Sequence, residues 1–456
     1  MTSFPAGFLW GTATSAFQIE GSPLADGAGE SNWHRFAHMP GRIANGDTGD
    51  IAGDHYRRAA ADVELMRDLG LNAYRFSVSW SRILPEGRGA PNAKGIGFYD
   101  RLVDSLLAAG IQPALTLFHW DLPAALEDQG GWLNRDIAGW FADYANAVAR
   151  ALGSRVALWA TLNEPWVVSD AGYLHGVHPP GHQSAAEVPW ASHNLLRAHG
   201  AGVRAIRAEG PAQVGLVVNL EPKYPASERL ADLAATARAE AYMNRQFLDP
   251  VLLGAYPELL AEFFGADWPS FPPDDFALIG EPIDFLGINY YTRSVTEDAP
   301  RSPPVRAARK RQDASLHTAL DWEIYAQGLT DVLVWVRDRY RPIPLYITEN
   351  GAAFEEPATV AGPVMEDPLR VAYLRDHLRA AHAALGKGVD LRGYFAWSLL
   401  DNFEWAEGFS KRFGLYHVDF ATQQRTPKSS ARFYREVIQS NGAALDHGPD
   451  STEAGR

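Results

Sequence analysis

Apolar residues along this chain fall into one phrase that repeats: an amphipathic helix, a glycine or proline stop, then a short, wholly apolar strand. Tyr99, Leu102, Val103, Leu106 and Leu107 recur at helical spacing, Gly110 ends the run, and Pro113-Ala114-Leu115-Thr116-Leu117-Phe118 follows. Val371, Leu374, Leu378, Ala381 and Leu385 make a second stripe, closed by Gly386, before Gly393–Trp397. Leu329, Val332, Leu333 and Val336 precede Leu345–Thr348, and Leu196, His199, Val203 and Ile206 precede Val214–Asn219. Positions i, i+3, i+4 and i+7 form one face of a helix, and glycine commonly follows its last turn. Strands without alternation are covered on both sides, as in a parallel sheet.

Phe8–Gly11, Ala73–Ser77, Ala157–Leu162 and Ile283–Asn289 complete a set of eight strands. Eight strands with intervening helices predict a closed (β/α)₈ barrel of the TIM type, although the pattern alone also admits a doubly wound sheet. The length of 456 residues fits one such barrel. No linker divides the chain, so one domain is expected over 1–447, with 448–456 as a frayed tail. Ala299–Ser315, with its prolines and Arg309-Lys310-Arg311, reads as a long exposed loop.

Each strand exits into residues that do not belong in a core: Arg75, His119 with Trp120, Asn163 with Glu164, Asn289 with Tyr291, Glu349, and Trp397. A barrel gathers its strand C-terminal ends into one rim, where such folds carry their chemistry. Glu164 and Glu349, 185 positions apart, would then face each other across a pocket. A carboxylate left half-desolvated without a partner is costly, so two of them at strand ends need a reason. Taken singly, each fits a structural carboxylate paired with arginine equally well. As a pair they suit glycoside hydrolysis, where an acid protonates the leaving oxygen and a carboxylate stabilises or attacks the oxocarbenium-like centre.

Composition narrows the rest. A net charge of −14, from 41 Lys+Arg against 55 Asp+Glu, repels phosphate backbones and anionic membrane, so neither nucleic acid nor a membrane is expected as partner. Cysteine is absent, which removes disulfides, thiolate nucleophiles and Cys-ligated metals. No secretory signal and no apolar run of ~20 residues is visible, giving the cytoplasm as the expected address. His175, His178 and His182 tempt a metal reading, yet they lie in a proline-rich segment without helical ligand spacing, and a pocket-rim loop is expected instead. Gly27 and Gly29, like Gly87 and Gly89, read as turns.

Seven motifs in order, from residue 8 to the C-terminal region, carry a resemblance. They are Phe8–Gly21 (FLWGTATSAFQIEG), Arg75-Phe76-Ser77, Phe118-His119-Trp120-Asp121, Thr161-Leu162-Asn163-Glu164-Pro165, Asn289-Tyr290-Tyr291, Ile347-Thr348-Glu349-Asn350-Gly351 and Trp397–Trp405 (WSLLDNFEW). Together they resemble the family 1 glycoside hydrolases, the β-glucosidase group. The resemblance implies Glu164 as general acid then base, and Glu349 as the nucleophile of a retaining reaction. It implies Asn163 on the sugar 2-hydroxyl, with Arg75 and Tyr291 holding Glu349 ionised. Gln18, His119, Glu404 and Trp405 would bind the other glycone hydroxyls, with Trp120 and Asn289 also lining that site and Trp397 as its floor. Trp166 and Trp322 would wall the aglycone side.

No metal or organic cofactor is implied; the expected partners are β-glucosides or short β-linked oligosaccharides such as cellobiose, and none of the motifs speaks to oligomeric state. Glu404 places an anion where a 6-phosphate would sit, which implies unphosphorylated substrates. Asp321 stands where the family pattern has glycine, and Val167 where small or thiol residues are frequent, both on the aglycone side. A sugar-binding barrel without turnover would be expected to lack one of the two glutamates. A transglycosylase, or a hydrolase preferring galactosides or fucosides, would keep both.

Overall fold

In the computed structural model, which describes residues 2–360 and 362–446, eight parallel strands close into a barrel. They are β1 (Leu9–Ala13), β2 (Ala73–Ser77), β3 (Gln112–Phe118), β4 (Leu158–Asn163), β5 (Val214–Asn219), β6 (Phe285–Asn289), β7 (Leu345–Asn350) and β8 (Leu391–Trp397). Each pairs with its sequence neighbours, and β1 pairs with β8, Leu9 opposite Gly393 and Ala13 opposite Trp397. This settles the choice left open by the pattern: the sheet is closed. The first strand runs two residues beyond its predicted end, and β6 begins at Phe285, not Ile283. The tail predicted at 448–456 lies outside the described residues.

Outer helices follow the strands: α1 (His55–Leu69), α2 (Ala93–Ala108), α3 (Ile137–Leu152), α4 (Val188–Ala208), α5 (Gln246–Leu253), α6 (Gln327–Arg339), α7 (Pro368–Gly386) and α8 (Ser429–Gln439). Local chemistry sets their ends. Asn92 caps α2 by accepting from the Lys94 amide at 3.2 Å, and Gly70, in the left-handed region, ends α1. The predicted stripe Tyr99, Leu102, Val103 and Leu106 is buried, while Leu107 faces outward. α7 runs through Gly386 and is capped by Lys387.

The barrel lumen is filled by Leu9, Ala73, Ala114, Leu158, Phe285, Tyr346, Phe395 and Trp397, a cluster distinct from the core between strands and helices. Its large rings need small residues opposite. A side chain at Gly11 would begin 2.4 Å from the Phe395 ring, so the lumen admits that ring only because position 11 is glycine. With the lumen packed, chemistry is confined to the rim.

One predicted loop is partly a sheet. Within 299–315, Ala307–Arg309 pairs antiparallel with Ser294–Asp298, which in turn pairs with Lys223–Pro225. This three-stranded sheet stands over the rim beside β5 and β6. Its strands are short and polar, with Ser294-Val295-Thr296-Glu297-Asp298 giving no apolar run to read.

Candidate active site

Both strands that carry the paired glutamates break register just before delivering them. Pairing of β4 with β5 shifts between Ala160 and Asn163, and β7 shifts between Ile347 and Glu349 against β6. Such bulges re-aim side chains and cluster beside active sites. Glu164 then adopts φ 45°, in the left-handed region, before Pro165 opens a short helix, Pro165–Ser169. For a non-glycine residue that conformation costs on the order of 1–2 kcal/mol. Trp120 (φ 81°) and Trp405 (φ 51°) share it, so three residues at the rim are held in strained backbone.

Their side chains form one hydrogen-bonded web. Arg75 from β2 donates to Glu349 Oε1 at 2.5 Å and to Asn163 Oδ1 at 2.7 Å. Tyr291 donates its hydroxyl to Glu349 Oε2 at 2.6 Å. Asn289 Nδ2 donates to Glu164 Oε1 at 2.6 Å and to Asn163 Oδ1 at 3.1 Å, while its own Oδ1 accepts from Thr348 Oγ1 at 2.7 Å. Because Asn163 Oδ1 accepts twice, its Nδ2 must be the atom 3.0 Å from His119 Nε2. His119 therefore accepts at Nε2 and carries its proton on Nδ1, which is buried without a protein partner. Trp120 Nε1 donates to the Asn163 carbonyl at 3.0 Å. Gln18 Nε2 donates to Glu404 Oε2 at 3.3 Å and to the Phe403 carbonyl at 3.0 Å.

These environments push the carboxyls apart. Burial and the charge of Glu349 raise Glu164 to about 8, opposed by the Asn289 amide and, less, by the Arg75 charge. Burial raises Glu349 as well, but Arg75 and the Tyr291 hydroxyl both pull against it. The carboxylate with more donors gives up its proton first, so at neutral pH the shared charge rests on Glu349. Glu404 is raised to about 8 by burial, then by Glu349 and Glu407. That changes the expectation of an anion at this position: the carboxyl holds its proton at neutral pH and can donate as well as accept. His119 is driven well below its ordinary value by burial and by Arg75, so it stays neutral.

A cavity of 570 Å³ opens above this web. Of the predicted residues, Trp120, Glu164, Trp166, Asn289, Tyr291, Trp322, Glu404 and Trp405 line it. Arg75, Asn163, His119, Gln18, Glu349 and Trp397 stand behind them, joined by the bonds above and by the ring of His119, 5.9 Å from both Trp397 and Trp405. Val167 lines the cavity; Asp321 does not, although Leu320 and Trp322 do. Asp321 has φ 60°, which explains glycine in the family pattern, and aspartate is among the few other residues that tolerate it.

Over 1–443 the chain matches the sequence model of glycosyl hydrolase family 1. The chain belongs to that family. It is 48% identical over 441 residues to β-glucosidase A of Thermotoga maritima, covering 96% of this chain and 98% of the relative. It is likewise 48% identical over 444 residues to the 1,4-β-D-glucan glucohydrolase of Thermotoga neapolitana, covering 97% and 99%. The solved structure of the T. maritima β-glucosidase with deoxynojirimycin superposes with a TM-score of 0.94 at 48% identity, over 97% of this chain and all of that one.

The family 1 site includes residues that sequence reasoning missed. Asn219 and Glu221 line the cavity, and Asn219 Oδ1 is buried without a protein partner. Asn219 ends the apolar run of β5, the same signal that marked Asn163 and Asn289. Glu221 pairs with Lys223 at 2.7 Å and with Arg309 from the small sheet. That group walls a second cavity, of 440 Å³, which shares Trp166, Glu221, Met243 and Arg309 with the first. Of the three clustered histidines, His178 is half-buried and packs on the rings of Trp33 and Trp120, while His175 and His182 pair with Asp170 (3.6 Å) and Glu187 (2.7 Å). They assemble no common ligand set.

Proposed function

We propose that this chain is a retaining β-glucosidase, built as one catalytic domain, that releases terminal β-D-glucosyl residues through a covalent glycosyl-enzyme. The observation that carries the reading is the inequality of the two carboxyls. Glu349, charged and held by Arg75 and Tyr291, attacks the anomeric carbon. Glu164, protonated and held by one amide, gives its proton to the leaving oxygen. Once Glu349 becomes an ester its charge is gone, and the pKa of Glu164 falls toward that of a base able to activate water.

Asn163 is fixed by Arg75 and Asn289 and presents to the sugar 2-hydroxyl, a contact that strengthens in the transition state. Gln18, His119, Trp120, Glu404 and Trp405 hold the remaining glycone hydroxyls over Trp397. Trp166 and Trp322 flank the leaving group, and the second cavity beyond Trp166 gives room for aglycones longer than one sugar ring, such as those of cello-oligosaccharides. Glu404, set among other carboxyls, offers a 6-phosphate no cationic partner, which favours unphosphorylated glycones.

The test is a proton NMR time course on an aryl β-D-glucoside, read before mutarotation. Early β-glucose supports retention through Glu349. Early α-glucose would mean inversion and would sink the nucleophile role. Relative rates on aryl glucoside, galactoside and fucoside measure glycone preference, and disaccharide formation at high substrate measures transfer.

A further inference from the structure

Away from the reacting atoms, three side chains converge with the chemistry of a metal centre. The short helix Asn32–Ala37, capped by Ser31 Oγ accepting from the His34 amide at 3.1 Å, places His34 and His38 one turn apart on one face. Asp50 rises to them from the loop before α1. His38 Nε2 lies 3.1 Å from Asp50 Oδ2, and His34 Nε2 lies 3.7 Å from Asp50 Oδ1. One ligand atom from each of the three lies within 4.8 Å of the others, and this is the only such His and carboxylate group among the described residues. Around a tetrahedral ion with bonds of roughly 2.0–2.1 Å, ligand atoms stand about 3.3 Å apart. The two histidine-to-Asp50 distances lie on either side of that value, each to a different carboxylate oxygen, and an ion would draw the three ligand atoms in from within 4.8 Å of one another.

The atoms behind the ligands are arranged to match. His38 Nδ1 lies 2.7 Å from the His34 carbonyl oxygen, which can only accept, so Nδ1 carries a proton. Nε2 then faces a carboxylate oxygen 3.1 Å away, a gap that a proton on the ring or a metal cation fills equally well. His34 Nδ1, buried without a hydrogen-bond partner, faces Glu30 Oε1 at 3.7 Å. A ligating imidazole typically hands its second N–H to a carbonyl or carboxylate; His38 has one in place in the His34 carbonyl, and His34 has the Glu30 carboxylate nearby at 3.7 Å. Two imidazoles and one carboxylate leave a fourth position for water, a donor set suited to zinc and its divalent neighbours.

We propose that His34, His38 and Asp50 bind a divalent transition-metal ion of the zinc class, which clamps the helix Asn32–Ala37 to the loop before α1. The clamp would act on the glycone wall. Trp33, next to His34, packs its ring 4.5 Å from that of Trp405. Gly49, next to Asp50, lies so close to Phe17 that a Cβ there would fall 2.8 Å from the ring, and Phe17 stacks on Trp405 at 6.3 Å. Both ends of the clamp therefore rest against one wall residue.

Zn²⁺ alone, titrated by calorimetry into the metal-free full chain, tests this, with His38→Ala and Asp50→Asn beside it. Both side chains are exposed, at 43% and 45%, so neither substitution opens the core. The expected result is one ion per chain and a melting temperature that rises with Zn²⁺, with binding weakened at least about tenfold in each variant, since even second-shell losses cost 10–100-fold. Co²⁺ should give the intense visible absorption of a tetrahedral site in the wild type and lose it in His38→Ala. Failure of the wild type to take up one ion saturably would overturn the proposal, and so would unchanged uptake by His38→Ala.

Discussion

Arg75 reaches across the barrel rim from β2 to Glu349 on β7, its Nη1 2.5 Å from Oε1, whereas the side chain of Glu164 accepts one hydrogen bond among the described residues, from Asn289. Two chemically identical groups thus receive different work from their surroundings. Every prediction about turnover follows from that difference.

The pH profile should have a basic limb set by Glu164. With Glu164 as the proposed general acid, its protonated form carries turnover, so kcat/KM should fall as pH rises through about 8. On the acid side, with Glu349 as the proposed nucleophile, activity should be lost as it takes up a proton, at a pH above the ordinary carboxyl range because burial raises it. Glu164→Gln should abolish the basic limb and cut kcat roughly 10²–10⁴-fold on substrates with poor leaving groups. An aryl glucoside with a strongly acidic phenol needs no protonation and should lose far less. A basic limb that survives Glu164→Gln would assign the proton to another group.

Replacing Glu349 with glycine removes the attacking oxygen and leaves space. Turnover should drop roughly 10⁴-fold or more. Azide, added as a small external nucleophile on the vacated face, should restore release of the phenol and yield an α-glycosyl azide, identifiable by NMR. Rescue giving the β-azide would place the nucleophile elsewhere.

Tyr291→Phe deletes one donor to the Glu349 carboxylate and keeps the ring. A hydrogen bond to a charged group contributes about 1.5–3 kcal/mol, so kcat/KM should fall on the order of 10–100-fold. Sign matters here. Loss of a donor to the charged form raises the pKa of Glu349, so the acid limb must move to higher pH. A fall in rate with no movement of that limb would mean that the hydroxyl acts otherwise than through the Glu349 charge, since the ring and its contacts with Trp322 and Phe413 are kept.

Lys428 anchors the loop that presents Glu404 and Trp405. Fully buried, it donates to Asp401 Oδ1 at 2.8 Å and Glu356 Oε2 at 2.6 Å, while Arg412 holds the other oxygen of Asp401 at 2.8 Å. Lys428→Met leaves two buried carboxylates short of a cation and should destabilise by about 3–5 kcal/mol, read by denaturant unfolding. Stability within 1 kcal/mol of wild type would show that the pair is dispensable.

What the sequence disclosed depended on apolar burial. β4 and β7 are covered on both sides, so their unbroken apolar runs announced themselves, and the polar residues closing them marked the rim. Asn219 obeyed the same rule and was overlooked only because no motif accompanied it. Features made by polar residues distant in sequence were invisible. Lys428, Asp401 and Glu356 form a triad across 72 positions, and nothing near Lys428 sets it apart from a surface lysine. His34, His38 and Asp50 meet because a short helix and a loop fold together, and Asp50 sits among glycines and aspartates that read as a turn. The small sheet at 223–309 was silent because it is built on backbone pairing with few apolar side chains.

The shifted register in β4 and β7 bears on how such a barrel could be redesigned. Unbroken pairing is the most regular way to close eight strands, and an idealised sequence would be chosen to restore it. That chain would close and pack, and by the usual trade between regularity and activity it would gain stability. It would also turn the last residues of both strands by half a pleat, sending each glutamate toward a different layer. In this fold, the irregular steps are where the chemistry is stored.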